Sequence, residues 1–156
     1  HGGKDKYNVD HIGYNARLDT IQAAILLVKL IYLDEFNERR KKIAQRYNQE
    51  LSEIKEVKVP ISIQESVFHQ YTIRVKNGKR DQLQAFLKEK CIGTMVYYPF
   101  CLHQMKLFQG RAKVQGKMEQ AEKATQEVLS LPIEPLMREE EQTYVIDTIK
   151  EFFTKS

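Results

Sequence analysis

Apolar positions change their spacing along the chain, and each change marks an element. From Ile21 to Leu33 they run almost without interruption through Ala23, Ala24, Ile25, Leu26, Leu27, Val28, Leu30 and Ile31. Asp19-Thr20-Ile21-Gln22 stands in front as a capping box, with Asp19 accepting from a first-turn N–H and Gln22 reaching back. A helix that is apolar nearly all round needs cover on most sides, from its own domain and from a second domain or partner chain. The run is only about 13 residues and contains Gln22 and Lys29, too short for a membrane span.

From Asp34 the pattern becomes amphipathic. Ile43, Tyr47, Leu51 and Ile54 recur at helical spacing among charges. Pro60 ends the connection that follows. Val67, His69, Tyr71, Ile73 and Val75 then alternate with polar or outward positions, the period of a strand, and Asn77-Gly78 makes a turn. His69 falls on the apolar face and reads as a core histidine. Asp81 is placed to cap a short helix with Leu83, Phe86 and Leu87 inward. "TMVYYP" reads as a second strand stopped by Pro99, and irregular chain extends to about Gly116. A helix through Ala121, Ala124 and Val128 precedes "LSLPIEPL", a third short strand broken by Pro132 and Pro135. The closing "REEEQTYVIDTIKEFF" is a helix with Val145, Ile149 and Phe152 as its stripe and three glutamates at the positive end of its dipole. Two long helices followed by alternating strands and helices predict an α/β or α+β layer.

Composition narrows the class. With 42% hydrophobic and 29% charged residues among 156, the chain fits one globular domain, or one domain with an appended segment. A net charge of +4 suits anionic ligands and falls short of a nucleic-acid signature. The Arg39-Arg40-Lys41-Lys42 cluster is interleaved with Glu35, Glu38, Glu50 and Glu53, and a solvated face is its plainer reading over a phosphate or nucleic-acid patch. Cys91 and Cys101 lack metal-ligand spacing, and free thiols in a reducing cytoplasm are expected.

Four ordered blocks, "GYNARLDTIQAAIL", "HQYTIRV", "RDQLQAFLKEKCIGTMVYYP" and "EVLSLPIEPLMREEEQTYVIDTIKEFF", resemble the C-terminal part of the DegT/DnrJ/EryC1/StrS aminotransferases along essentially the whole chain. These are pyridoxal-phosphate enzymes that aminate keto sugars on nucleotide carriers. The resemblance implies the small domain of the fold-type I architecture at 37–156, preceded at 1–36 by a cofactor-proximal loop and a domain-crossing helix. It also implies that the large domain with the cofactor-bearing lysine lies upstream, that its absence leaves this chain inactive alone, and that the missing domain covers Ile21 to Leu33. Ser52-Glu53-Ile54-Lys55 imitates a lysine motif only locally, and Lys55 reads as a surface residue.

By the same resemblance, Asn15 reaches across a homodimer to the cofactor phosphate of the neighbouring subunit, and Arg17 lies near the same anionic region. The amide and the planar guanidinium suit phosphate oxygens. A turn residue and a salt bridge to Asp19 are the plainer readings of the two. Tyr98 and His103 fall in a block near the family's sugar-nucleotide site. Cys101 stands where the family usually has Pro, and Gln104 directly follows His103, both departures from its pattern. An alternative in another class is a non-catalytic interaction or regulatory module that keeps the small domain and the dimer surface.

Overall fold

A computed structural model describes residues 11–14, 16–61, 65–111 and 113–155. The chain divides into two compact units, 1–35 and 36–156. In the first, helix α1 spans Thr20–Leu30. Asp19 is its N-cap, and its carboxylate accepts from the Ile21 N–H at 2.8 Å. The predicted single apolar stretch is interrupted at Ile31-Tyr32, where Tyr32 N–H donates to the Lys29 carbonyl at 3.1 Å. No residue of α1 is buried, and Leu27 is 67% exposed. A helix apolar on most of its faces with none of them buried is an exposed apolar patch and not the one-sided pattern of an ordinary surface helix.

The second unit is built on a three-stranded sheet. Helix α2, Leu33–Leu51, buries Ala44, Tyr47 and Leu51, with Ile43 and Ile54 at the edge of the stripe. Strand β1, Val57–Lys58, pairs antiparallel with β2, Tyr71–Val75, through Val57↔Val75. Strand β2 pairs antiparallel with β3, Val128–Leu131, through Tyr71↔Leu131 and Ile73↔Leu129. The order is therefore β1-β2-β3, with β2 central. Tyr71, Ile73 and Val75 are fully buried against α2, helix α3 (Arg80–Glu89) and helix α5 (Glu139–Lys155), while Thr72 and Arg74 face the other side. Helix α4, Glu119–Glu127, leads directly into β3.

Several expectations are corrected. The strand expected from Val67 begins only at Tyr71, because Phe68 takes a φ of 48° that breaks the pleat. Phe68 is buried in consequence, and His69, expected in the core, is exposed. "TMVYYP" is not a strand; only Met95 pairs, with Ser130. Tyr98 takes a φ of 59°, outside the extended region that a residue before proline usually adopts, and ends any ladder there. β1 was not expected; two residues carry no readable period. Lys79, not Asp81, is the N-cap of α3, and Asp81 instead pairs with Arg80 in the first turn. Helix α4 stops at Glu127, so Val128 belongs to the sheet.

Asn77 and Gly78 have φ of 62° and 69°, the mirror-image turn in which Gly and Asn are favoured. Arg40 bonds to Asn37 and Lys41 to Glu38, in keeping with a solvated helix face. On α5, Glu141 accepts from the Arg138 N–H at 2.9 Å, and Arg138 holds its carboxyl below the usual carboxylate range.

The end of α4 is fixed by two arginines. Arg80 donates to the carbonyls of Thr125 at 3.2 Å and Val128 at 3.1 Å, placing a cation at the negative end of the helix. Arg74 of β2 reaches Glu127 through Nε at 2.9 Å and a terminal nitrogen at 2.7 Å. Glu127→Ala leaves Arg74 half-buried without its partner, and a loss of about 2 kcal/mol is expected in urea unfolding, since uncompensated charge costs more than the pair contributes. A change below about 0.5 kcal/mol, the range of ordinary surface substitutions, would mean solvent already serves Arg74.

Candidate functional site

The segment after α3 is pinned at one point, then released. Met95 exchanges backbone bonds with Ser130, 3.1 Å from its N–H and 2.8 Å to its carbonyl. Val96 packs on the core, and Tyr97, Tyr98 and Phe100 emerge, 42%, 79% and 64% exposed. A left-handed tyrosine costs about 1–2 kcal/mol, and such strain clusters at functional sites. Cys101, buried, then caps a 3₁₀ turn, Leu102–Gln104, and the Gln104 side chain closes it by accepting from the Cys101 N–H at 3.3 Å. The departure from the family pattern at Gln104 thus has a local role.

That turn presents His103 toward α4. Its Nε2 lies 2.8 Å from Glu122 Oε1. An ionised carboxylate only accepts, so Nε2 carries the hydrogen and Nδ1 is left as the acceptor of the neutral ring. Around this pair α4 offers only Ala121, Ala124 and Thr125, side chains too small to fill the space beneath the tyrosines. A groove of about 480 Å³ results, lined also by Tyr97, Tyr98, Phe100 and Leu102. It is largely apolar with one imidazole, the makeup of a pocket for a small ring-bearing molecule. Tyr98 and His103, named from the sequence, therefore line one groove.

Tyr97 of the groove wall and Glu122, the partner of His103, were not named there. Tyr97 stands beside Tyr98 and also lines a second groove, of about 350 Å³, with His69, Met95 and Ser130. Only the Tyr-Tyr doublet hinted at it. Glu122 had no signal, because its partner lies 19 positions away and only the fold brings the two together.

Arg17 belongs to the first unit and is exposed. No ion pair holds it among the described residues, and the Asp19 carboxylate caps α1. Asn15 lies outside the described residues. Lys55 is exposed in the turn after α2, as a surface residue should be. Cys91 and Cys101 are free thiols. Among the described residues no group of three His, Cys, Asp or Glu could hold a metal, and no helix is long and apolar enough to cross a membrane.

Comparison with known proteins gives this arrangement its setting. A pleiotropic regulatory protein of Geobacillus stearothermophilus is 48% identical over 98% of this chain and 42% of its own length. A dTDP-3-amino-3,4,6-trideoxy-alpha-D-glucose transaminase of Streptomyces venezuelae is 33% identical over 97% of this chain and 40% of its own. The chain thus spans about two fifths of these curated relatives. The crystal structure of a DegT DnrJ EryC1 StrS aminotransferase from Brucella abortus superposes with a TM-score of 0.86 at 38% identity, covering 98% of this chain and 41% of that one. The pattern of the DegT/DnrJ/EryC1/StrS aminotransferase family matches residues 1–150. With the whole sheet and the groove inside the matched span, the chain belongs to the DegT/DnrJ/EryC1/StrS aminotransferase family.

Proposed function

We propose that this chain is the C-terminal part of a pyridoxal-phosphate aminotransferase that moves an amino group, from glutamate, to a keto-deoxy sugar on a nucleotide carrier, for polysaccharide or glycan synthesis. The observation that carries the reading is one groove lined by Tyr98 and His103, in a chain whose Streptomyces relative is a dTDP-sugar transaminase. Residues 37–156 act as the small domain, and 1–36 as the cofactor-proximal loop and domain-crossing helix. The groove takes the ring portion of the substrate against Tyr98. His103, oriented by Glu122, exchanges a hydrogen bond with a sugar hydroxyl.

Members of the family use pyridoxal phosphate, which when bound acts as the electron sink for the proton shift at the amino-bearing carbon. Arg17 fits its phosphate by charge and planar geometry. Asn15 is assigned the same phosphate in a neighbouring subunit of a homodimer. The reactive lysine is assigned to a part of the protein outside these residues.

The test is release of 2-oxoglutarate from glutamate by the full-length protein, with nucleotide-linked 3-keto and 4-keto sugars as acceptors. Release only when such an acceptor is present supports the reading, and none with any acceptor sinks it. For the lysine, borohydride reduction of this chain with pyridoxal phosphate is expected to leave no stoichiometric single-site label. One clean label on one lysine, displaced by an amino donor, would overturn that assignment. A second reading, a non-catalytic regulatory module, is favoured by the name of the Geobacillus relative. It expects a full-length protein that turns over no keto sugar.

A further inference from the structure

The two edges of the sheet are finished differently. β1 is two residues long, and Lys55, Glu56 and Lys58 charge its surroundings, a usual guard of an exposed edge. The edge beyond β3 has no such guard. There Met95 exchanges both of its backbone bonds with Ser130. In an antiparallel ladder the neighbours of such a residue turn their groups the other way, so Thr94 and Val96 aim theirs away from β3. Among the described residues those N–H and carbonyl groups have no hydrogen-bond partner. From Cys91 to Leu102 the chain has no Asp, Glu, Lys or Arg. A neutral, unpaired edge is a template for another strand.

This edge is complementary to itself. A dyad through Met95, perpendicular to the sheet, sets Thr94 opposite Val96 of a second copy, and each outward N–H meets an outward carbonyl. Met95 then faces Met95 in the closer, non-hydrogen-bonded pairing, and at 53% exposure it is free to do so. Tyr97, also exposed, falls across from Gly93, where an added side chain would meet nothing within 4 Å. An aromatic ring across from a glycine covers such a gap. The charges agree as well. A groove of about 530 Å³ beside the edge is lined by Asp81, Gln84, Ala85 and Lys88 of α3 together with Gly93 and Thr94. The same dyad runs the two α3 helices antiparallel on one face of the joined sheet, with Lys88 of each toward Asp81 of the other. Lys88 is exposed and has no ion pair among the described residues.

We propose that residues 93–97 form an interface between copies of this chain, joining their sheets edge to edge in antiparallel register about Met95. It is a different contact from the sharing of active sites assigned to Asn15, and it joins whatever species that sharing makes. An unrelated extended peptide would find the same free backbone groups. A second copy brings in addition the Tyr97–Gly93 and Lys88–Asp81 contacts.

The experiment is sedimentation equilibrium of the full-length protein over a range of concentrations, for the parent, Met95→Lys, Met95→Glu and an equal mixture of the two variants. The parent is expected to associate. Either variant alone opposes like charges at the dyad, and its dissociation constant should rise about tenfold. The mixture sets lysine against glutamate and should return to the parent's range, which two misfolded variants could not do. Met95→Leu should associate as the parent does. Hydrogen exchange reads the same edge directly, with the Thr94 and Val96 amides slow in the associated parent and fast in Met95→Lys. A parent that never associates, charged variants that associate like it, or a mixture that stays apart overturns the proposal. So do Thr94 and Val96 amides that remain slow in the dissociated variant, since the full-length chain then covers its own edge. Neither readout involves amino transfer, so failure here leaves the aminotransferase reading untouched.

Discussion

Replacing Tyr47 by Ala is expected to cost about 4 kcal/mol of stability, at the upper end for loss of a buried aromatic. Tyr47 is fully buried on α2, with its ring 4.9 Å from that of Tyr71 on the central strand. Its hydroxyl donates to the Pro132 carbonyl at 2.9 Å, just beyond β3. One side chain thus ties α2 to the middle of the sheet and to its far strand. Alanine leaves a cavity between layers and an orphaned carbonyl. Tyr47→Phe keeps the ring and removes only the donor, so about 1–2 kcal/mol is expected from it. The two midpoints in urea, followed by circular dichroism, separate packing from hydrogen bonding. Should Tyr47→Ala fall within 1 kcal/mol of the parent, α2 is not the lid of this core.

Alkali should unfold the same region. Burial pushes the Tyr47 phenol well above its ordinary value, opposed by the Arg46 charge; burial and then Tyr47 raise Tyr71 likewise. Both hydroxyls are donors, Tyr71 to Asn48 at 2.7 Å. Unfolded tyrosine releases its proton near pH 10, whereas these two keep theirs while folded. Above that pH the unfolded chain binds fewer protons than the native one, so stability is intact below about pH 10 and falls as pH rises. The slope is about 1.4 kcal/mol per pH unit for each tyrosine, roughly 2.7 for both. Urea midpoints between pH 9 and 11.5 measure it, and Tyr47→Phe should halve it. A flat profile over that range would show that the phenols ionise in place.

The parts of the fold legible in the sequence were those with a sustained period. The stripes of α2, α3 and α5, and the alternation from Tyr71 to Val75, repeat often enough for the buried face to be read. The errors came where one backbone angle overrode the pattern. Alternation from Val67 looked continuous, but the left-handed Phe68 inverted the faces and sent His69 outward. Likewise "TMVYYP" has strand composition, yet Tyr98 before Pro99 breaks its ladder. Within the site, Tyr98 and His103 were readable from a block that resembles a family. Glu122 was not, because tertiary pairing leaves no local trace.

The sheet contains no hairpin between its two principal strands, and its register joins residue 71 to residue 131. The ladder therefore closes late in biosynthesis. At about 5–20 residues per second a ribosome needs roughly 3 to 12 s to make the intervening chain. Throughout that interval β2 stands complete, with Tyr71, Ile73 and Val75 on one face and a bare edge where β3 will lie. Pairing across so long a loop is slow even afterwards. The nascent chain thus passes through a period in which its best strand has no partner of its own. How well it is guarded then, rather than its final stability, sets the fraction of chains that reach the native sheet.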